Sequence, residues 1–219
     1  MIPIGSNCGY ARAVPVAKGD TIDVERTRAK LVRAAAEVFY REGTSAGVNE
    51  LAERAGVSKV SLYRHFGSKE GLIEAVLRAR SDHVVAWLRD AADAPSDPVE
   101  RVLAVFDALR GWYAEQRFRG CAIVNAAAET AAPDGAARRV ARDHLARHRE
   151  LLTALAADAR AADPALAGRQ LLILLEGATV VAALTGDLDA ASDARRLVPA
   201  LLVSGGGSRR RGARRLDAP

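Results

Sequence analysis

Cysteine, proline and lysine are scarce in this chain of 219 residues, and each shortage narrows what the protein can be. Two cysteines so far apart, Cys8 and Cys121, do not make a disulfide framework and suit a reducing compartment. Prolines number only eight and strand-like alternation is almost missing, while alanine and arginine abound, so the expected class is all-α. The longest apolar run, 171–184, is shorter than a bilayer requires and is broken by Glu176 and Thr179. The first twenty residues hold no apolar stretch of signal-peptide length. A soluble cytoplasmic protein with no membrane partner is the expectation. There is no phosphate-binding glycine loop, nucleophile elbow or clustered metal-ligand set, so neither an enzyme nor a bound cofactor or metal is expected.

What is present is organised by charge and helical period. The net charge is +5, with the surplus in residues 20–80 and in the tail 204–219, where five arginines face one aspartate; residues 81–203 carry a small acidic excess. Residues 1–23 lack periodicity and read as a disordered extension. A first helix is expected over about 27–42, with Leu31, Ala35, Val38 and Phe39 on its inner stripe. Later helices are expected near 69–93, 99–118, 121–130, 136–162, 164–184 and 189–203, separated by Pro95, Gly120, Pro133–Gly135, Pro164 and Gly186. The end, SGGGSRRRGARRLDAP, reads as a flexible linker with a basic tail able to add sequence-independent affinity for a polyanion, or to stay idle.

The stretch 47–72, GVNELAERAGVSKVSLYRHFGSKEGL, carries the most chemistry. Val48, Leu51, Ala52 and Ala55 repeat at three- and four-residue spacing, marking one face of a short helix. Gly56 permits the left-handed exit that ends it. Ser58 can cap a second helix, held against the first by Leu62 and Phe66. This is the pattern of a helix-turn-helix, whose second helix enters the major groove. Its side chains not needed for packing, Lys59, Val60, Ser61, Tyr63, Arg64 and His65, include no acid, and Lys69 stands at the next helix start, where a phosphate is welcome.

The run AGVSKVSLYRHFGSKEGL, with Thr27-Arg28, Leu31-Val32, Ala35, Val38-Phe39 and Gly43 upstream, resembles the DNA-binding domain of the TetR family over about residues 26–77. The resemblance implies a helix-turn-helix domain over 24–70 and a larger helical effector and dimerisation domain over 71–203. It also implies phosphate contacts at Thr27, Ser61, Tyr63, His65 and Lys69. Lys59 and Arg64 suit guanine edges, Val60 a thymine methyl and Asn49 an adenine. Family members pair their last two helices into a four-helix bundle, which agrees with the segment 165–184 being apolar nearly all round and so needing cover. The expected partners are a palindromic double-stranded operator and a second copy of the chain.

The family's central helices enclose a small-molecule pocket. Candidate lining residues are Trp87, Phe106, Trp112, Tyr113, Phe118, Cys121, Asn125, Glu129, His144 and His148. Cys121, Asn125 and Glu129 lie four apart and share a helix face. The expected function is therefore a ligand-responsive dimeric repressor. The alternatives are a DNA-binding regulator without an effector, and an enzyme using Cys121, Glu129 or His144; core packing competes with the pocket role for each aromatic.

Overall fold

The computed structural model describes residues 20–130 and 132–203. Those residues form nine helices: α1 (Asp20–Glu42), α2 (Val48–Ala55), α3 (Lys59–Phe66), α4 (Lys69–Asp93), α5 (Pro98–Tyr113), α6 (Ala122–Glu129), α7 (Ala136–Asp158), α8 (Pro164–Thr185) and α9 (Ala190–Val203). No strand occurs among them. The basic tail and the first nineteen residues lie outside the described residues.

Local chemistry sets most boundaries. Ser58 and Ser68 accept hydrogen bonds from the backbone N–H of Ser61 and Gly71, capping α3 and α4. Asp97 and Asp163 do the same for α5 and α8, each followed by a proline in the first turn. Gly56 leaves α2 in the left-handed region at φ 65°, and Gly186 leaves α8 at φ 74°.

Three expectations are corrected. Helix α1 begins at Asp20, seven residues before Thr27, so the last four residues of the supposed extension, 20–23, are helical. Helix α5 stops at Tyr113 rather than near 118. The chain turns there through Glu115 N–H to Trp112 O and Phe118 N–H to Glu115 O bonds, which lay the Phe118 ring 4.9 Å from both the Trp112 and Tyr113 rings. Helix α7 stops at Asp158, because Arg160 adopts φ 56° and Ala161 N–H turns back to Ala156 O.

Three apolar clusters fill the molecule. Leu31, Val38, Leu51, Leu62, Leu72 and Val76 knit α1–α3 to the start of α4. Val84, Leu88, Phe106, Leu109, Leu152 and Leu171 belong to the large core of α4, α5, α7, α8 and α9. Leu77, Ile123, Ala126, Ala137 and Val140 form a smaller cluster between them. Helix α4 contributes to all three, and its 25 residues extend about 37 Å. It is the rod connecting the two halves. Helix α8 is long and apolar enough to cross a bilayer, contrary to the shorter run read from the sequence. It is instead packed through Ala167, Leu171, Leu175, Ala178 and Ala182.

Candidate nucleic-acid interface

Helix α3 is placed by Leu62, with Phe66 packed beside it. Leu62 is completely buried between α1, α2 and α4, which turns the opposite face outward. That face presents Lys59, Val60, Tyr63 and Arg64, with Val60 67% exposed. Val60 thus takes no part in the packing and stands exposed beside the two cations. Neither Lys59 nor Arg64 forms an ion pair or hydrogen bond among the described residues. Both keep their full donor capacity.

The other expected contacts surround this face. Asn49 is exposed near the start of α2, Thr27 half-buried on α1, and Ser61 and His65 half-buried on α3. Lys69 is different: its Nζ donates to the carbonyl of Ser45 at 3.1 Å, tying the start of α4 to the loop between α1 and α2. Two of its three protons remain available to another acceptor. The sequence reading missed Arg28, whose guanidinium lies 5.1 Å above the Phe66 ring and joins α1 to the end of α3.

A second set of contacts binds the reading unit to the rest of the molecule. Thr44 donates from its N–H and Oγ1 to the Glu129 carboxylate of α6, at 2.9 and 3.2 Å. The Tyr40 hydroxyl donates to Arg117 O at 2.7 Å and accepts from Arg119 N–H at 2.9 Å. Arg119 Nη1 donates to Arg41 O at 2.7 Å. Burial raises the Tyr40 pKa, with the Arg119 N–H and the Arg80 charge pulling the other way. A cavity of about 250 Å³ opens along this seam, lined by Tyr40, Arg41, Gly43, Arg119, Asn125 and Glu129. Asn125 and Glu129, expected beside an effector, therefore stand at the seam, Asn125 donating to Arg119 O and Glu129 holding Thr44.

The sequence and structure comparisons converge on these elements. The model for bacterial regulatory proteins of the TetR family matches residues 31–76, and the model for tetracycline-repressor-like C-terminal domains matches residues 98–198. A TetR-family transcriptional regulator from Streptomyces coelicolor, SCO4454, superposes with a TM-score of 0.73 at 30% identity, over 81% of this chain and 94% of its own. The chain belongs to the TetR family. A second solved structure, a putative TetR transcriptional regulator (sav143) of Streptomyces avermitilis, gives 0.73 at 33% identity over 80% and 97%. Among curated relatives, the transcriptional activator FasR of Mycolicibacterium smegmatis is 40% identical over 93 residues, 42% of each chain. The repressor KstR2 of Mycobacterium tuberculosis is 35% identical over 97 residues, 42% of this chain and 48% of its own. The chain thus spans less than half the length of the curated relatives it matches, and those relatives include regulators of both signs.

In this TetR-family regulator the remaining expected pocket residues lie inside the C-terminal half. Phe106 is fully buried core. Trp87, Trp112, Tyr113 and Phe118 form one aromatic group, with Trp87 and Trp112 rings 6.2 Å apart, and the Tyr113 hydroxyl meets Thr179 Oγ1 at 2.9 Å. A polar chain runs beside them. Ser81 Oγ lies 2.9 Å from His144 Nδ1, Cys121 Sγ 3.6 Å from His144 Nε2, and His148 Nδ1 3.3 Å from Glu176 Oε1, with the two imidazoles 4.0 Å apart. Burial, then the neighbouring His148 and Arg147, pulls the His144 pKa well below the ordinary imidazole value. Burial, then Glu176, pushes the Cys121 thiol up to about 11, which keeps it protonated at neutral pH and a poor nucleophile. Among the described residues no group of three or more histidines, cysteines or carboxylates is arranged to hold a metal.

Proposed function

We propose that this protein is a cytoplasmic, dimeric transcriptional repressor that reads a palindromic operator through α3 and is released by a small molecule bound in its C-terminal half. The observation that carries the reading is the outward face of α3, where Lys59 and Arg64 stand uncommitted beside exposed Val60 and Tyr63. Lys59 and Arg64 donate to guanine O6 and N7, Val60 meets a thymine methyl, and Asn49 addresses adenine. Thr27, Ser61, Tyr63, His65 and Lys69 bond phosphates and fix register without reading sequence.

Dimerisation is supported by the outer faces of α8 and α9. Ile173, Val180, Val181, Leu184 and Leu197 are exposed there, a set of apolar side chains that a second copy would cover. A twofold dimer carries two α3 helices and so favours a palindrome. Repression requires only occupancy of the operator. Release requires that the effector bind the DNA-incompetent state more tightly than the competent one. The rod α4, joined to the effector half along its length and to α3 at its start, would transmit that difference.

The test is fluorescence anisotropy with a duplex selected by the wild-type protein. Lys59→Ala combined with Arg64→Ala is expected to abolish competitor-resistant binding, each residue contributing about 1–3 kcal/mol. A folded double variant that binds the same duplex as tightly as wild type would contradict the assignment.

A further inference from the structure

Pockets that take drug-sized ligands run to roughly 300–1,000 Å³ and are walled mainly by apolar side chains. The seam cavity, at about 250 Å³, is smaller, and Tyr40, Arg41, Glu42, Arg119, Asn125 and Glu129 make up most of its lining. Its size and its walls both call for a small polar ligand.

Part of this polar lining is committed within the protein. The Tyr40 hydroxyl is occupied by Arg117 O and Arg119 N–H, and Glu42 is paired with Arg54 at 3.1 Å. The atoms left open define what the cavity can hold. The Arg119 guanidinium bonds Arg41 O through Nη1, which leaves Nε and Nη2. Asn125 donates through Nδ2 to Arg119 O, which leaves Oδ1. Glu129 takes both Thr44 donors on Oε2, which leaves Oε1. Among the described residues neither Arg119 nor Glu129 has an ion-pair partner. A cation and a carboxylate therefore line a single cavity without pairing. Each is held by backbone at the end of α1 or in the loop that follows, Arg119 by the Arg41 carbonyl and Glu129 by the Thr44 N–H. Opposite charges fixed apart in this way complement a ligand that carries both charges itself.

We propose that the seam cavity binds an α-amino acid, whose carboxylate takes the open N–H groups of Arg119 and whose ammonium donates to Glu129 Oε1 and Asn125 Oδ1. A planar carboxylate accepts two guanidinium N–H groups at once, and an ammonium has donors enough for both acceptors. A dicarboxylate without an amine would be pressed against Glu129. An amine without a carboxylate would add its charge to those of Arg119 and Arg41. Arg119, Asn125 and Glu129 are exposed, so the ligand enters without the seam coming apart. The aromatic group of the C-terminal half does not line this cavity apart from Tyr40's neighbours on α1, and the inference does not rest on release by an effector bound there. The walls come from both halves, Tyr40 to Gly43 on one side and Arg119 to Glu129 on the other. A ligand that favours this arrangement over an opened one biases the placement of the reading unit.

The experiment follows thermal unfolding of the purified full-length protein with each of the standard protein amino acids. The one that raises the Tm most is then titrated by calorimetry. The expected result is saturable binding, weakened tenfold or more when the same amino acid is amidated at its carboxylate or acetylated at its amine. Arg119→Gln is expected to remove the preference for the free carboxylate and keep that for the free amine. Glu129→Gln is expected to do the reverse, since its amide oxygen still accepts from Thr44. Circular dichroism checks both folds, and the blocked derivatives test the wild-type protein whatever the variants do. No Tm rise with any amino acid, equal binding of the blocked derivatives, or both preferences unchanged in both folded variants would each overturn the proposal. The titration contains no DNA, so its failure leaves operator reading untouched, and a failure of operator binding leaves the site standing.

Discussion

At the scale of single residues, the seam between the two halves depends on what cannot be there. Gly43 sits at φ +80°, and a Cβ added to it would lie 2.8 Å from the Glu129 carboxylate that holds Thr44. Alanine at this position would meet both a left-handed backbone penalty and a collision with the group that fastens the reading unit. Gly43→Ala is expected to destabilise the protein by about 1–2 kcal/mol from the backbone alone, measured by urea unfolding. Adding Glu129→Ala should relieve the collision but not the backbone strain. Gly47→Ala is the contrast: its φ is −72° with nothing within 4 Å, so only the weaker N-cap preference of alanine counts and a loss of less than about 1 kcal/mol is expected there. Equal losses at Gly43 and Gly47 would show that the seam is not tightly fitted.

At the scale of elements, α4, α6 and α7 meet at a buried histidine with a lowered pKa. His144 is completely buried between Ser81 and Cys121, and it stays neutral when folded. Its pKa is ordinary when unfolded, so below about pH 6.5 the unfolded chain binds a proton that the folded chain refuses. Stability from this residue is therefore complete above the unfolded pKa and is lost as pH falls below it, by up to about 1.4 kcal/mol per pH unit. Thermal unfolding between pH 7.5 and 5 should show a falling Tm, and His144→Gln should flatten the fall. A wild-type Tm independent of pH in this range would contradict the buried neutral state.

The same elements show what sequence can carry. Helices α2 and α3 were legible to within a residue or two because their boundaries are set by neighbours in the chain: Gly56, Ser58 and Ser68 act on backbone groups three or four positions away. The exposed face of α3 followed from the burial of Leu62. The end of α5 did not, since it depends on Phe118 folding back onto Trp112. The seam was illegible for a related reason. Thr44 and Glu129 are 85 residues apart, and nothing in the local pattern of either says that they meet. His144 and His148 were visible as a pair at helical spacing, but Ser81 and Glu176, which orient them, come from other helices.

At the scale of the whole molecule, helix α8 carries an interior face and an outer apolar face. Leu184 is 82% exposed on that outer face, in line with exposed Val180 and Val181. Leu184→Glu is expected to shift the protein from dimer to monomer in sedimentation. Burying one leucine contributes about 1.5–3 kcal/mol, and twofold symmetry counts it twice per dimer. A dimer of unchanged affinity would mean that this face is not the interface. Sequence-specific DNA reading by the proposed dimer is tested most directly by binding to DNA fragments from upstream of the protein's own and neighbouring genes, across a salt series. Tight binding to one fragment, resistant to competitor and weakening with salt in proportion to the phosphates contacted, is the expected result. Weak and equal binding to every fragment, vanishing as salt rises, would contradict it.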